Sequence, residues 1–433
     1  MTARIHHADL WGSRKVKYDW LNNHDVNDTH WQTVQPQEPF YLFVPQDNKL
    51  LPEYQSSFLV TKVFNVYAST VTTGRNHFSM SFDRDSLLER VNDLMNPTIS
   101  DESIKCKYEL MDVSYWTVAE ARKEIQSEKN TTANVHEYCY RPFDFRFVYY
   151  HSAICERLRS EIMRHMFHDN LAFLTHRPQS PGEFTFAYCT NQIGDQCVAA
   201  NKSAGGGNSF QFPLYVYPHP GKMLESSPWP AGKDGRRPNL SPEFVKDFAG
   251  KLGLEFVPDG QGDLKKTFGP EDVFHYAYAV FHSPTYRSRY AAFLKIDFPR
   301  LPLTGDKKLF ARLCELGAEL VGLHLLERVP AAQATYPRQG GNLVDKPRYK
   351  PPAEQAVGRV YVNDQQYFEP VPPEVWDFHV GGYQVCQKWL KDRKDRALSY
   401  DDIEHYRRMT EAVRQTLRLM DEIDRAIPAW PLT

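Results

Sequence analysis

Apolar side chains recur every three or four residues in several stretches of the chain, which is the spacing of one face of a helix. This pattern predicts two long helices, at 307–328 and 398–427, and Ser399 followed by Asp402 is typical of a capping box. The apolar seam of 398–427 could meet another chain, but 307–328 is the favoured partner. Shorter helices are predicted at 12–23, 82–95, 118–129, 154–167, 241–252 and 270–282.

Short runs of β-branched and aromatic residues lie between these helices, and prolines and polar residues bound them. The longest such region, 171–217, contains a glycine-rich segment at 203–209 that predicts a tight turn. The Pro- and Gly-rich residues 218–240 predict an exposed loop or a linker. The mixture predicts an α/β fold of the mixed α+β kind, with a mixed or antiparallel sheet plus long helices. Other strands are predicted at 39–45, 56–69, 145–150 and within 359–369.

Length and composition indicate a folded, soluble protein with more than one core, because the 433 residues are 41% hydrophobic and 24% charged. The formal net charge is −2, so a surface for nucleic acid has to come from local clusters of basic residues. No stretch approaches the roughly 20 apolar residues of a membrane helix. Seven scattered cysteines without a C-x-x-C pair indicate reduced thiols. We therefore expect a cytoplasmic protein that has no membrane partner.

Sequence signatures of catalysis are missing from the chain: it has no phosphate-binding loop, dinucleotide fingerprint, nucleophile elbow or H-E-x-x-H string. A metal nuclease needs converging carboxylates and a lysine, and the nearest arrangement is Asp259, Asp263 and Lys265. Their tight spacing favours a polar loop. His165 and His168 have a spacing that metal ligands on a helix can have, but no third ligand lies near them. Surface or core histidines are therefore the favoured interpretation.

Arginines and aromatic residues are concentrated between residues 140 and 177, with smaller clusters at 283–290 and 72–78. Guanidinium groups bind phosphate oxygens and read guanine edges, asparagine reads adenine, and tyrosine adds hydrogen bonds. The same arginines can instead form ion pairs with nearby carboxylates such as Asp144 and Glu156. The candidate DNA-binding residues are Arg75, Asn76, Arg141, Arg146, Tyr150, Arg157, Arg159, Arg164, Arg177, Tyr286, Arg287 and Arg289.

Long blocks of unusual composition follow one another along the chain, among them VFNVYASTVTTGRNHFSMSFD and YRPFDFRFVYY. In their order these blocks resemble the C-terminal specificity region of Type ISP restriction–modification enzymes, over nearly the whole chain. The blocks lie at 6–21, 63–83, 140–150, 212–218, 281–303 and 381–409.

The resemblance implies both an architecture and a role. In that family one polypeptide carries a nuclease, an ATP-driven translocase, an adenine methyltransferase and the region that recognises the target sequence. The implied partners are double-stranded DNA and those other modules. No catalytic residue or cofactor is expected in this chain, because S-adenosylmethionine, ATP and magnesium would belong to the upstream modules. The implied segments are 1–135 beside the methyltransferase, 136–305 as the target-recognition lobe, and 306–433 as helical spacer with short strands.

The leading hypothesis is therefore sequence-specific recognition of duplex DNA without catalysis by this chain. Two alternatives stay open. One is a metal-dependent nuclease that uses Asp259 and Asp263. The other is a scaffold that binds only a methyltransferase subunit, through the seam of 398–427.

Overall fold

The structure is a computed structural model that describes residues 3–38, 40–45, 47–177, 184–199, 208–219, 228–353 and 357–432. The glycine-rich turn predicted at 203–209 lies almost wholly outside these ranges. The chain divides into two compact units, Met1–Glu53 and Tyr54–Thr433. The segment boundaries predicted near residues 135 and 305 both fall inside the second unit and stay a prediction.

Seven of the eight predicted helices begin within two residues of the positions that the apolar spacing predicts. The helices are α1 (Arg14–Asn23), α2 (Leu51–Gln55), α3 (Val60–Val63), α4 (Asn76–Ser79), α5 (Arg84–Met95), α6 (Asp101–Lys107), α7 (Val118–Ile125), α8 (Ser160–Met163), α9 (Pro242–Leu252), α10 (Pro270–His282), α11 (Pro284–Arg289), α12 (Ala291–Leu294), α13 (Lys307–His324), α14 (Pro373–Trp376), α15 (Val385–Lys391) and α16 (Tyr400–Ala426). Short 3₁₀ turns lie at Thr131–Asn134, Arg164–Phe167 and Lys233–Gly235.

The strands are short and belong to several separate small sheets. They are β1 (Ile5–His7), β2 (Gln32–Val34), β3 (Phe58–Leu59), β4 (Ala68–Ser69), β5 (Met80–Ser81), β6 (Val135–Arg141), β7 (Asp144–Tyr149), β8 (Ala172–His176), β9 (Tyr188–Thr190), β10 (Ile193–Gly194), β11 (Ser209–Pro213), β12 (Tyr215–Val216), β13 (Arg237–Pro238), β14 (Glu255–Phe256), β15 (Thr267–Phe268), β16 (Arg300–Leu301), β17 (Arg348–Lys350), β18 (Arg359–Tyr361), β19 (Tyr367–Phe368), β20 (His379–Val380) and β21 (Tyr383–Gln384).

The first unit contains α1 and the antiparallel pair β1–β2, in which Ile5 lies opposite Val34. Ser13 caps α1, because its hydroxyl accepts a hydrogen bond from the Val16 amide at 3.4 Å. Every residue of α1 is at least partly exposed. This helix is therefore held by its cap and its own backbone hydrogen bonds more than by packing.

Two four-stranded sheets form the main β structure of the second unit. The first has the order β10-β6-β7-β5, and its β6–β7 hairpin places Tyr138 opposite Arg146. The second, with the order β4-β11-β8-β9, is antiparallel throughout. Because β10 joins β6 in parallel, the predicted mixed α/β class with mixed and antiparallel pairing is confirmed.

Three long helices, α10, α13 and α16, pack against one another in the second unit. Nε2 of His324 in α13 lies 3.0 Å from the Thr416 hydroxyl of α16, and Arg312 pairs with Glu422 at 3.4 Å. The predicted partnership of these helices is therefore confirmed. So is the capping box of α16, where Asp402 and Ser399 exchange side chain to backbone hydrogen bonds. No described helix is long and apolar enough to cross a bilayer.

Three predictions of local structure are wrong. The strand predicted at 56–69 is two short strands, β3 and β4, because helix α3 (Val60–Val63) lies between them. The region 154–167 was predicted as one helix, but the helix begins only at Ser160 because Arg159 adopts a left-handed backbone, with φ 56° and ψ 40°. Residues before it run as an irregular segment that pairs with Thr72. The strand predicted at 39–45 is also missing from its described residues, 40–45, which form turns and bends.

Candidate nucleic-acid interface

Three loops of the second unit meet side by side, and we call residues 72–76, 108–116 and 151–160 together the loop platform. The first and third loops pair through their backbones, since the amides of Thr72 and Arg157 each donate to the other residue's carbonyl oxygen at 3.0 Å. The second loop joins through Trp116, whose indole N–H donates to the Ala153 carbonyl oxygen at 2.8 Å. Direct hydrogen bonds thus fix the loops relative to one another.

Arg75 is the side chain that all three loops share. Its guanidinium carbon lies 4.0 Å from the centre of a Trp116 ring, and its Nη2 donates to the Ile154 carbonyl oxygen at 3.0 Å. Burial lowers the pKa of Arg75 from its ordinary value. Arg75 therefore supports the loops, and a contact of its half-buried guanidinium with DNA stays a prediction.

Asn76 lies at the outer side of the same turn and is exposed. Gly74 makes the turn possible, because its φ of +71° belongs to a region that side chains with a Cβ rarely adopt. The Thr73 hydroxyl donates to the side-chain oxygen of Asn76, which orients the amide. The oxygen keeps a second lone pair and the amide nitrogen keeps its donors, which is the pattern that asparagine uses to read adenine.

Arg157 and Arg159 are the exposed arginines of the platform. The Arg157 side chain is 56% exposed and has only a long contact with Glu156, at 3.5 Å. Arg159 is exposed, and within the described ranges its side chain has no ion pair or hydrogen bond. Its left-handed backbone costs about 1 kcal/mol or more for a residue with a Cβ. The left-handed backbone sets the direction in which this exposed side chain leaves the loop, which suggests that its orientation matters for function.

An open cleft of about 620 Å³ runs along this edge of the platform. Its walls are strand β4 with the preceding Tyr67 on one side and residues 155–162 on the other, and both arginines line it. Tyr67 is anchored by stacking on Phe212, with ring centroids 4.8 Å apart. Glu156 and Glu161 line the same cleft, so it combines charges of both signs with a fixed aromatic wall. Within it the two arginines are the groups that can hold a phosphate or the edge of a base.

Arg141 and Arg146, by contrast, are integrated into the protein interior. Arg141 pairs with Asp195 at 2.7 Å and Arg146 with Asp144 at 2.8 Å, and both arginine side chains are nearly nine-tenths buried. Their guanidinium groups lie on opposite sides of the Tyr140 ring, at 3.8 and 3.7 Å from its centre. These two arginines hold the β6–β7 hairpin together, and we leave them out of the interface.

Of the remaining predicted residues, Tyr150 contacts the platform, and the others contact parts of the second unit outside it. The Tyr150 hydroxyl donates to the Leu158 carbonyl oxygen at 2.8 Å, and that of the buried Tyr286 donates to the Arg300 carbonyl oxygen at 2.6 Å. Arg177 pairs with Asp297 at 2.7 Å. Carbonyl oxygens accept from Arg164 (Tyr217, 2.8 Å) and Arg287 (Phe281, 2.7 Å), and Arg289 lies 5.9 Å from the Tyr290 ring centre. The structure therefore brings only Arg75, Asn76, Tyr150, Arg157 and Arg159 to the platform.

The carboxylates considered for a nuclease have structural partners. Asp263 accepts from three backbone amides, those of residues 265–267, and these hydrogen bonds lower its pKa. Asp259 pairs with Arg236 at 2.7 Å. Over the described ranges, no group of three or more His, Cys, Asp or Glu is placed to hold a metal ion. His165 is a core histidine, as interpreted: burial lowers its pKa to about 3, and it accepts from the Tyr217 amide at 3.0 Å.

Sequence reasoning missed the second loop entirely. Met111 and Tyr115 stand out from it, with 79% and 68% of their surfaces exposed, and Trp116 at its end is buried. Trp116 has the clearest signal in hindsight, because a tryptophan followed by Thr117, a helix cap, marks the entry of α7. Met111 and Tyr115 carry no periodic signal, since they lie in a turn.

Amide and guanidinium groups presented by fixed loops on a mixed α/β scaffold are the features of a DNA-recognition domain. The sequence matches the Type ISP C-terminal specificity domain over residues 62–422. The chain therefore belongs to the Type ISP C-terminal specificity domain family. No curated protein sequence matches it.

Solved structures with the same fold come from Type ISP and related DNA-bound proteins. A nuclease-deletion mutant of the Type ISP restriction–modification enzyme LlaGI, with a DNA substrate mimic, matches 99% of this chain at 17% identity and a TM-score of 0.67. The DrdV–DNA complex matches 94% of this chain at 19% identity and a TM-score of 0.69. The ATP-dependent Type ISP enzyme LlaBIII bound to DNA matches 93% of this chain at 17% identity and a TM-score of 0.66. The match spans 39%, 42% and 26% of those three chains, respectively.

Proposed function

We propose that this chain recognises a target sequence in double-stranded DNA for a Type ISP restriction–modification enzyme, and that the loop platform is part of the surface that contacts the duplex. The observation that carries the location is the exposure of Arg157 and Arg159 beside Asn76 on loops that Arg75 and Trp116 fix. The family assignment and the DNA in all three solved relatives support duplex DNA as the ligand.

The two kinds of side chain would share the work of recognition. Arg157 and Arg159 flank an open cleft, where they can hold phosphate oxygens and so set the position of the duplex. Asn76 has an oriented amide, which suits readout of an adenine edge in the major groove. Because loops held by internal hydrogen bonds lose little conformational entropy on binding, the platform is suited to discriminate between sequences.

We further propose that the chain performs no covalent chemistry. Under this proposal the nuclease, translocase and methyltransferase activities, with their ATP, magnesium and S-adenosylmethionine, belong to partner modules of the same enzyme. The engagement of Asp259 with Arg236 and of Asp263 with backbone amides supports this assignment.

The test is selection of binding sites from a duplex library with a randomised core, followed by anisotropy titration of the enriched duplex. The full chain should enrich one sequence pattern, and Arg157→Ala/Arg159→Ala should weaken binding by about tenfold or more. Arg312→Ala/Arg418→Ala is the matched control, because it removes two arginines of similar exposure from α13 and α16. Its binding should stay near that of the wild type.

Other outcomes would favour the alternatives. Absence of any duplex binding at low salt would contradict the proposal and favour a scaffold role. Cleavage of plasmid DNA by the chain with magnesium or manganese, abolished by Asp263→Ala, would show a nuclease instead.

A further inference from the structure

The second loop of the platform carries an exposed apolar tip, formed by Met111, Val113 and Tyr115. Their exposed fractions are 79%, 40% and 68%. Single apolar residues are common on protein surfaces, but here three exposed apolar side chains occupy alternate positions of one turn and form a small apolar patch. Leu110 and Trp116, on either side of the tip, are buried and anchor the turn in the core.

The turn that carries the tip is stiff. The Val113 and Trp116 backbones exchange two hydrogen bonds, at 2.8 and 3.2 Å. Asp112 ties the turn at both ends, since it pairs with Lys105 at 2.5 Å and accepts from the Val118 amide at 2.9 Å. The tip is therefore held in place before any ligand arrives, and binding does not have to order it.

The loop that carries the tip is joined by direct contacts to the loop that carries the exposed arginines. Trp116, next to Tyr115 in sequence, contacts both Arg75 of the first loop and Ala153 of the third. The third loop continues directly to Arg157 and Arg159. An apolar tip beside arginines and an oriented amide suits a ligand that offers phosphates, polar edges and flat apolar faces together, which is stacked DNA.

We propose that Met111 and Tyr115 press into the base stack of the bound duplex, separating or unstacking one base step while Arg157 and Arg159 hold the neighbouring backbone. This inference rests on the proposed function and goes beyond it by assigning a distortion of the DNA to a defined turn. Side chains such as methionine act as wedges between bases in proteins that bend DNA, and tyrosine rings stack on bases.

The experiment uses the full chain and the duplex enriched in the selection described above. Permanganate oxidises unstacked thymines, so its reaction pattern reports the distorted step, while anisotropy reports affinity. Wild-type protein should create one reactive step in the bound duplex. Met111→Ala/Tyr115→Ala should remove that reactivity and weaken binding by about tenfold, whereas Tyr115→Phe, which keeps the ring, should preserve both.

Tyr400→Ala is the matched control, because Tyr400 is a tyrosine of equally high exposure, 79%, at the start of α16. It should behave as the wild type does. If the wild type binds the duplex in an Arg157- and Arg159-dependent way but leaves every thymine unreactive, or if the double variant distorts the duplex unchanged, the wedge is wrong and the proposed function stands. If the wild type binds no duplex, this inference and the proposed function are both wrong.

Discussion

The guanidinium carbon of Arg75 lies over the indole of Trp116, 4.0 Å from a ring centre, although 41 positions separate the two residues in sequence. The contact joins the turn after β4 to the entrance of α7, and the Arg75 hydrogen bond to Ile154 adds the third loop. Arg75 thus adds a cation–π contact and a partly buried hydrogen bond to the Thr72–Arg157 and Trp116–Ala153 hydrogen bonds that join the three loops.

Arg75→Ala should lower the free energy of unfolding by about 2 kcal/mol, because it removes a desolvated cation–π contact and leaves a carbonyl oxygen without its donor. DNA binding should weaken as well, since the loops lose their common support. Urea denaturation and anisotropy titration measure the two effects. Arg75→Lys keeps the charge but lacks the planar fork, so it should fall between the wild type and the alanine variant.

Measurements of stability and of DNA binding together distinguish a supporting role of Arg75 from a direct contact with DNA. Arg159→Ala is the control, because its side chain is exposed and its loss should leave the urea midpoint unchanged. Lost DNA binding with an unchanged midpoint in Arg75→Ala would mean that Arg75 reaches the DNA itself.

The salt dependence of binding should report Arg157 and Arg159 directly. Each phosphate contact contributes about 0.9 to the slope of log affinity against log salt concentration, so Arg157→Ala/Arg159→Ala should reduce the slope by about 1 to 2. Titrations over a series of salt concentrations measure the slope. An unchanged slope with weaker binding would indicate that the two arginines contact bases and not phosphates.

The sequence predicts the helices and strands of the second unit better than the segments that connect them. Leu87, Val91 and Leu94 have the helical spacing and are fully buried in α5, as predicted. In the region 154–167 the same reasoning placed Ile154 and Met163 in the core correctly while misjudging the backbone. The left-handed Arg159 stops the helix from starting earlier, and a non-glycine residue gives no sequence signal for that conformation.

The arginine-rich composition could not separate interface from scaffold. Arg141 and Arg157 look alike in sequence, yet one is buried against Asp195 and the other is exposed beside the cleft. The carboxylate that pairs with Arg141 lies 54 positions away, so only the tertiary structure reveals the ion pair. Tertiary structure is therefore needed to propose a role for each arginine, whereas the order of the sequence blocks is enough to indicate the family.

Asp144 should be a major source of stability at neutral pH. It is fully buried between Arg146 at 2.8 Å and Arg393 at 3.0 Å. Burial alone would raise the pKa of Asp144, but the two guanidinium groups outweigh it and hold the pKa well below its usual range. Asp144→Asn leaves Arg146 without its charge partner and leaves Arg393 with only the longer contact to Asp402, at 3.6 Å, so it should cost about 3 kcal/mol of unfolding free energy.

The sign of the pH effect follows from the direction of that shift. A carboxyl whose pKa is lower in the folded state stabilises the fold above its unfolded value of about 4 and loses this contribution as the pH falls further. The stability difference between the wild type and Asp144→Asn should therefore be constant from neutral pH down to about 5 and should narrow below about 4. A difference that stays constant in acid would contradict the ion-pair explanation.

His324 should make the fold sensitive to mild acid, because burial lowers its pKa to about 3. Its neutral form fits the site: the Tyr278 hydroxyl donates to Nδ1, and Nε2–H donates to Thr416 at 3.0 Å, whose own hydroxyl donates to the Ala412 carbonyl oxygen at 2.8 Å. Between pH values of about 6.5 and 3 the unfolded chain binds a proton here that the folded chain does not, so stability should decrease as the pH falls, by up to about 1.4 kcal/mol per pH unit.

His324→Asn cannot titrate and should show a shallower decline in urea midpoints across this range. Thr416→Val keeps the histidine, so it should be less stable at every pH but should retain the steeper decline. Equal slopes for wild type and His324→Asn would mean that the buried ring does not govern the acid sensitivity of the helical core.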